Sequence, residues 1–474
     1  MPTAPTAPLG SPERPVRVAV VGAGPAGFFT AEALLRRGAP VFDVDVLERL
    51  PTPFGLVRAG VAPDHQQIKN VHKVFEKTAS HDRFRFLGNV RVGRDLSVRE
   101  LATHYDQVVF AIGSASDRRL GIPGEELTGS HAATAFVGWY NTHPDFVDFP
   151  FELGHERAVV VGAGNVAMDV ARVLLRDPEE LAVTDMGAHA LEALRRSRVR
   201  EVVLLVRRGP AQAAFDLREL RDLAALKGVR VSIDRRQLEA EGPRLEELDP
   251  VAKKRVEYML ELAGAEPKPA ARTLRLEFLA SPVELLGDEH GHVRAVRVER
   301  NRLERTAAGE LRAVGSGDAF EIEAGAVFRS VGYRGAPLDG VPFDPRAGVI
   351  DNRDGRVVDG GSVVTGQYAV GWCRRGAIGV IGTNKADAQE VAERMIEDVP
   401  RLRPADEARR ARAAVDGLLS ERDVRVTSFA DWSALDAVEI ASGRDRGKIR
   451  EKFRSVDAMM NHLLRSVGGV GAED

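Results

Sequence analysis

Apolar positions repeat one pattern twice along the chain. Val16–Val21 (VRVAVV) leads into a Gly-rich turn, a helical stretch ending in Arg36, Arg37 and a Gly38 stop, and a second apolar strand through Leu47. Apolar runs bounded by turn signals read as buried strands, so this is a β-turn-α-β unit. Arg157–Val161 (RAVVV) begins the same succession about 140 residues later, with a helix to about Arg176 and a strand, VVLLV, at 202–206. Segments 105–115 (YDQVVFAIGSA) and 326–333 (AVFRSVGY) are strands ending in Gly, as suits crossings between two domains. Alternating stretches between 274 and 323, such as VRAVRVER at 293–300, predict antiparallel strands closing the second domain. A third strand-turn-helix covers 366–398, and a charged helical tail follows. The class is α/β, with two Rossmann-like three-layer nucleotide-binding domains, one inserted in the other.

Length and composition narrow the function. At 474 residues the chain is about three ~150-residue domain units long. Lys plus Arg total 67 against 70 Asp plus Glu, a net charge of −3, which excludes a globally basic nucleic-acid binder. The single cysteine, Cys373, excludes a disulfide scaffold, a Cys-rich zinc site, an iron–sulfur cluster of the chain's own and a redox dithiol. Glycine, 46 residues, is enriched as tight βα turns require. The Pro-rich N-terminus reads as a flexible tail and not as a signal peptide. The longest stretch without Asp, Glu, Lys or Arg, residues 127–144, is too polar for a membrane span, so a cytoplasmic protein is expected.

Gly22-Ala23-Gly24-Pro25-Ala26-Gly27 is a G-x-G-x-x-G turn. Its context makes it specific: it follows a strand, opens a helix and is followed, 21 residues after Gly27, by Glu48 at the end of the next strand. Gly22 makes the tight turn, Gly24 admits a pyrophosphate, Gly27 allows helix–strand contact and Glu48 accepts from ribose hydroxyls. Gly162-Ala163-Gly164-Asn165-Val166-Ala167 is the second copy, with Ala in the third small position. Where an NAD site places an acid it has Arg207-Arg208, 45 residues after Gly162, so an insertion over 176–198 is required. Two guanidiniums suit a ribose 2′-phosphate that a carboxylate would repel, which favours NADP over NAD; the plainer reading of the pair is a solvated strand end. An acid-tipped site followed by an Arg-tipped one points to a flavoprotein that binds FAD first and NADPH second, with hydride passing from nicotinamide to flavin. The FAD-binding domain is then residues 16–115 plus 331–474, the NADPH-binding domain 116–330, and residues 1–15 the tail.

PFGLVRAGVAPDHQQIKNV (53–71), FLGNVRVG (86–93), GNVAMDVAR (164–172), VRRGPAQAAF (206–215) and VGWCRRGAIGVIGTNKADA (370–388) closely resemble adrenodoxin reductase and its actinobacterial NADPH:ferredoxin reductase relatives. These belong with the glutathione-reductase-like flavoproteins that carry two dinucleotide sites, and the resemblance is collinear over about residues 16–398. It implies that flavin passes electrons singly to an iron–sulfur ferredoxin, with a cytochrome P450 as one downstream acceptor. It implies FAD contacts from Ala26, Glu48, Leu56 and Val92, with Trp372 and the Gly379-Val380-Ile381 backbone near the flavin ring. NADPH would contact Asn165, Val166, Ala167, Arg207, Arg208, Glu219 and Gly379. Ala377-Ile378 stands where relatives commonly carry Pro-Thr, so the contacts implied there come from backbone. His65 and Asp169 match a His and an Asp near the flavin, and Glu219 is a third catalytic candidate; a His carries protons near neutral pH and a carboxylate can orient it. The plainer reading is that His65 holds its loop and Asp169 caps or pairs within its helix, since hydride transfer needs no general base. No metal site is expected.

Cys373 beside the implied flavin site reads as inert, because a lone thiol has no resolving partner. The same count excludes thioredoxin-reductase-like and glutathione-reductase-like chemistry, and the FxGxxxHxxxW pattern of flavin monooxygenases is absent. Residues 195–236 hold 12 Arg or Lys against 5 Asp or Glu, and Lys253, Lys254 and Arg255 extend the basic run. Such a run is usually a solvated face, but a basic face on the NADPH domain meets the ferredoxin in relatives, so an acidic ferredoxin is the expected partner. No nucleic-acid motif accompanies the charge. Two rivals stand beside this reading: an NADPH diaphorase or quinone reductase, and a non-catalytic NADPH-sensing nucleotide-binding protein. Monomer and dimer are both left open.

Overall fold

Val16–Val21, buried over its whole length, is an interior strand of a seven-stranded sheet. The spatial order is Asn352–Arg353, Arg356–Asp359, Ser362–Ala369, Gln107–Phe110, Val16–Val21, Phe42–Glu48, Phe84–Gly88. The last five of these run parallel and the outer two join antiparallel. The structure is a computed structural model that describes residues 7–114, 116–239, 245–266, 269–307, 309–403 and 407–468. An apolar strand suits a parallel sheet covered on both faces. Val16, Val18 and Val20 pack with Phe28, Phe75, Ala388 and Trp432, from helices Pro25–Leu35, His72–Ala79, Thr383–Asp398 and Phe429–Arg444. Ala19 and Val21 pack with Leu101, Val415 and Leu419, from helices Val98–His104 and Arg412–Glu421.

The second unit forms a six-stranded parallel sheet in the order Ser130–Ala132, Ala326–Arg329, Arg157–Val161, Glu201–Val206, Arg272–Phe278, Val229–Ile233. Ala158 and Val160 pack with Phe136, Met168 and Leu220 on helices. Val159 and Val161 pack instead with Ala280, Val296, Val298 and Ile322 of a three-stranded antiparallel sheet, Ala280–Gly287, Val293–Arg305 and Leu311–Glu323. The antiparallel span expected from residue 274 therefore starts later. Arg272–Phe278 follows the crossover helix Pro250–Gly264 and so returns parallel to its neighbours. The insertion required before Arg207 is a pair of short helices, Pro178–Ala182 and Ala188–Arg195.

Ser116–Asp117 pairs antiparallel with Tyr333–Arg334, so the two passages between the sheets run side by side. Of the tail expected over residues 1–15, residues 1–6 lie outside the described residues, and the inner part is docked. Gly10 N donates to Arg14 O (2.7 Å), Val41 N to Gly10 O (2.8 Å) and Arg410 Nη2 to Pro15 O (2.8 Å). Pro-rich composition misses this because Val41 and Arg410, which dock the segment, lie far away in sequence. Among the described residues no helix is long and apolar enough to cross a membrane.

The C-terminal helices fold back over the first unit, placing Trp432, Leu435, Met459 and Leu463 in its core. Glu439 is buried there and accepts from Arg58 Nη1 (2.8 Å), Arg58 Nη2 (2.5 Å) and Phe453 N (3.0 Å), while the Arg58 guanidinium lies 4.9 Å from the centre of the Trp432 ring. Lys452 Nζ reaches Asn141 O (3.1 Å) and Asp185 (2.9 Å), which ties the same segment to the second unit. Glu439→Ala would leave Arg58 facing a void without its carboxylate, while Arg450 would keep Asp436. Breaking one side of a buried ion pair costs about 3–5 kcal/mol, so the thermal midpoint followed by circular dichroism should fall clearly. A midpoint equal to wild type would show that the pair contributes nothing.

Candidate active site

Both glycine turns are built on close backbone approach. Gly22 has φ +107°, and a Cβ there would lie 2.5 Å from Ala111 O; at Gly162, φ +136°, a Cβ would collide with Ser330 O. Gly24 and Gly164, by contrast, have no atom within 4 Å of where a Cβ would stand. Each begins a helix, Pro25–Leu35 or Asn165–Leu175, whose N-terminus no side chain caps. Among the described residues the N–H groups of Ala26, Asn165 and Val166 have no hydrogen-bond acceptor. Free N–H groups at the positive end of a helix, under open space, suit a phosphate.

Over the first turn lies a cavity of ≈ 460 Å³, lined by Gly22, Gly24, Ala26, Glu48, Leu56, Val92, Trp372 and Ile381 among others. Of the expected flavin-nucleotide residues, Gly27, Gly379 and Val380 are not in its lining. A Cβ on Gly27 would collide with Gly22 O, so that residue serves the turn's own packing. Gly379 and Val380 are exposed on the loop between helices Trp372–Arg375 and Thr383–Asp398. Glu48 accepts from Ala23 N (2.9 Å) and Leu50 N (3.2 Å); burial still pushes its pKa above the usual carboxylate value. Trp372 lies against Tyr333, ring centres 5.1 Å apart, and its buried Nε1 has no hydrogen-bond partner. An orphaned indole donor and an open backbone cradle fit a bound polar cofactor such as FAD.

At the second turn Asn165 is closed onto Asp216, donating from Nδ2 to Oδ2 (2.8 Å) and accepting from Asp216 N (2.8 Å). Val166 is half-buried and Ala167 fully buried, so Ala167 can offer only backbone to a ligand. Arg207 and Arg208 leave the end of Glu201–Val206 exposed, and their guanidiniums have no partner among the described residues.

Between the two turns sits a charged cluster built around Arg172, 1% exposed on helix Asn165–Leu175. Its Nε donates to Asp64 Oδ2 (2.7 Å), its Nη1 to Glu219 Oε2 (2.7 Å) and its Nη2 to Asp169. His65 Nδ1 lies 3.5 Å from Arg172 Nη2 and 3.8 Å from Asp169 Oδ1, and its Nε2 is 3.8 Å from Glu219 Oε2. A guanidinium only donates, so a neutral His65 accepts at Nδ1 and carries its proton on Nε2. Burial, with Arg172 beside it, pushes His65 down to about 4, and burial pushes Asp169 up to about 7 although Arg172 opposes the shift. Glu219 is raised for the same reason. His65, Asp169 and Glu219 lie close enough to ligate one ion, but the cation already between the two carboxylates is Arg172. Asp169 thus pairs within its own helix and also faces His65.

Asp64 and Arg172 were missing from the sequence-based site. The available signal was Asp169 and Arg172 three apart on an otherwise apolar helix, GNVAMDVAR. One expected docking residue is placed elsewhere: Arg255 is buried, donating to Ala211 O (3.0 Å) and Phe215 O (3.3 Å), because it shares the inward face of its helix with Ala252, Val256 and Met259. Lys254 is exposed and Lys253 half-buried. Much of the basic run is paired within the chain, Arg195 with Glu179, Arg196 with Glu192 and Arg235 with Glu239. Cys373 is buried, its Sγ 3.1 Å from Phe110 O and 3.2 Å from Val370 O, and burial raises its pKa to about 11, so it stays a thiol.

Residues 16–278 match the model of the pyridine nucleotide-disulphide oxidoreductases. The chain is 45% identical over 457 residues to NADPH-ferredoxin reductase FprA of Mycobacterium tuberculosis, covering 94% of this chain and 99% of that one. It is 42% identical over 461 residues to the human mitochondrial NADPH:adrenodoxin oxidoreductase, covering 95% and 92%. The solved structure of Mycobacterium tuberculosis FprA in complex with NADPH superposes with a TM-score of 0.89 at 44% identity, over 95% of this chain and 100% of that one. By sequence and fold together, the chain belongs to the NADPH-dependent ferredoxin and adrenodoxin reductase family of the pyridine nucleotide-disulphide oxidoreductases.

Proposed function

We propose that this chain is an FAD-dependent NADPH:ferredoxin oxidoreductase, with FAD held by residues 16–115 and 331–474 and NADPH by 116–330. The observation that carries the reading is the Arg172 cluster, where the loop leaving the cavity of the first unit meets the helix opened by the second glycine turn. The chemistry FAD supplies when bound is to take hydride as an electron pair and release electrons singly, which nicotinamide cannot readily do. Gly22, Gly24 and Ala26 would receive its pyrophosphate, Glu48 its ribose, and Leu56, Val92, Trp372 and Ile381 would pack on it, with Gly379 and Val380 at the edge of the ring. Gly164, Asn165, Val166 and Ala167 would receive the NADPH pyrophosphate, and Arg207 and Arg208 its 2′-phosphate.

The cluster's residues orient groups and hold a proton. His65 is neutral at working pH, and Asp169 is the group that gains or loses a proton near neutrality. Glu219 and, when deprotonated, Asp169 would place negative charge beside a bound nicotinamide. With one thiol in the whole sequence, and that one buried and protonated, electrons leave through no internal dithiol. The acceptor is read as an acidic iron–sulfur ferredoxin meeting the cations of the basic run that are left unpaired among the described residues: Lys227, Arg230, Lys253 and Lys254, together with the Arg207-Arg208 pair.

Purified flavin-loaded protein should lose its yellow absorbance on anaerobic addition of NADPH, and its cytochrome c reduction should depend on added ferredoxin. Colour that persists would reject the reductase, and ferredoxin-independent reduction would favour a diaphorase. Replacing Arg207 and Arg208 together by Ala should raise KM for NADPH about ten-fold or more while leaving KM for NADH nearly unchanged, as lost charge-assisted contacts require. Equal changes for both nucleotides would defeat the 2′-phosphate assignment. Asp169 also sets a pH dependence. An unfolded chain releases its proton near 3.8 and the folded chain near about 7, so between those values the folded state binds the extra proton. Stability from this group is fully present below about pH 4 and is lost as pH rises towards about 7. The thermal midpoint of wild type should therefore fall relative to Asp169→Asn across that window, and a constant difference would remove Asp169 as the titrating group.

A further inference from the structure

The three-stranded antiparallel sheet has no part in the chemistry above, yet it and Leu279, the residue leading into it, hold the backbone of the Arg207-Arg208 pair at two points. Asn301, 9% exposed, donates from Nδ2 to Arg207 O (2.8 Å) and to Ser281 Oγ (2.8 Å). A carbonyl can only accept, so it is the amide nitrogen that faces Arg207. Asn301 N donates to Leu279 O (2.7 Å), and Leu279, in the left-handed region at φ +53°, donates its own N–H to Arg208 O (3.2 Å). The long strand pair shifts register between Glu299 and Asn301, and after this irregularity Asn301 resumes the pairing opposite Gly315. On the far side Arg255 holds Ala211 O and Phe215 O. The segment after the strand is thus anchored through its carbonyls by residues outside the nucleotide-binding motif, while the two guanidiniums it displays stay free.

We infer that Asn301 is a specificity-determining positioning residue, which holds the Arg207 carbonyl so that Arg207 and Arg208 leave the strand end towards the 2′-phosphate of NADPH. The inference rests on the assignment of that arginine pair to the 2′-phosphate. Asn301 acts through backbone and touches no nucleotide. Two long side chains on a fixed backbone have less freedom to lose when an anion binds, so the anchor favours the phosphorylated nucleotide over the plain one.

The test compares FAD-loaded wild type, Asn301→Ala and the double Arg207→Ala, Arg208→Ala variant, with 2′,5′-ADP titrated by calorimetry and KM for NADH as the control without a 2′-phosphate. Asn301→Ala should weaken 2′,5′-ADP binding roughly three- to ten-fold, the range expected for one lost hydrogen bond, with KM for NADH and kcat at saturating NADPH unchanged. If Asn301→Ala does not fold, Asn301→Leu, of similar size and without a donor, should give the same split. Unchanged 2′,5′-ADP affinity, or equal weakening of 2′,5′-ADP and NADH, overturns the inference while leaving the arginine assignment standing. If the double arginine variant keeps its 2′,5′-ADP affinity, the assignment itself falls and the role of Asn301 falls with it.

Discussion

The burial of one guanidinium is the constraint on which the arrangement of the two nucleotide units depends. Arg172 is removed from water on a helix whose other inward residues are apolar, and an isolated charge there would cost more than the fold could supply. It is tolerated because Asp64 comes from the first unit's loop while Asp169 and Glu219 come from the second. No single unit provides all three carboxylates, so the cation is satisfied only when the units are together. Arg176 adds a second contact to Asp64 Oδ2 at 2.7 Å. The same ion pairs therefore tie the first unit's loop to the helix that the second glycine turn opens.

That cluster divides its protons unevenly. Burial, with Arg172 beside it, keeps the His65 imidazole neutral, while burial raises Asp169 against the pull of Arg172 until it titrates near neutrality. Hydride transfer needs neither group as a base, yet a protonatable carboxylate beside a fixed cation lets the site change charge without moving a chain. The C-terminal helices add stiffness from the other side. Glu439 and Lys452 reach Arg58 and Asn141, two residues that also line the cavity.

Legibility in the sequence followed the range of the interactions. Strands such as Val16–Val21 and Arg157–Val161, both glycine turns and Glu48 at its strand end could be read because periodicity and turn chemistry act over a few residues. Asp64 could not be assigned a role, since its partner lies 108 residues away. Arg255 illustrates the converse error: a cation in a basic run reads as surface, but helical phase turns it inward onto two carbonyls. The basic run itself reads as one charged face, whereas several of its exposed members are paired with acids, Arg196 and Arg235 one turn away and Arg195 on the preceding helix.

By itself the sequence determined the α/β class, the two dinucleotide turns, the acid and arginine tips and the absence of any dithiol, because each depends on local spacing or on a count. The tertiary structure decided which charges are free and which are spent on one another. It placed Arg172 among carboxylates from both units, left Arg207 and Arg208 unpaired and held their backbone from a separate sheet. Electrostatic energy depends on distance and burial, and sequence separation carries neither.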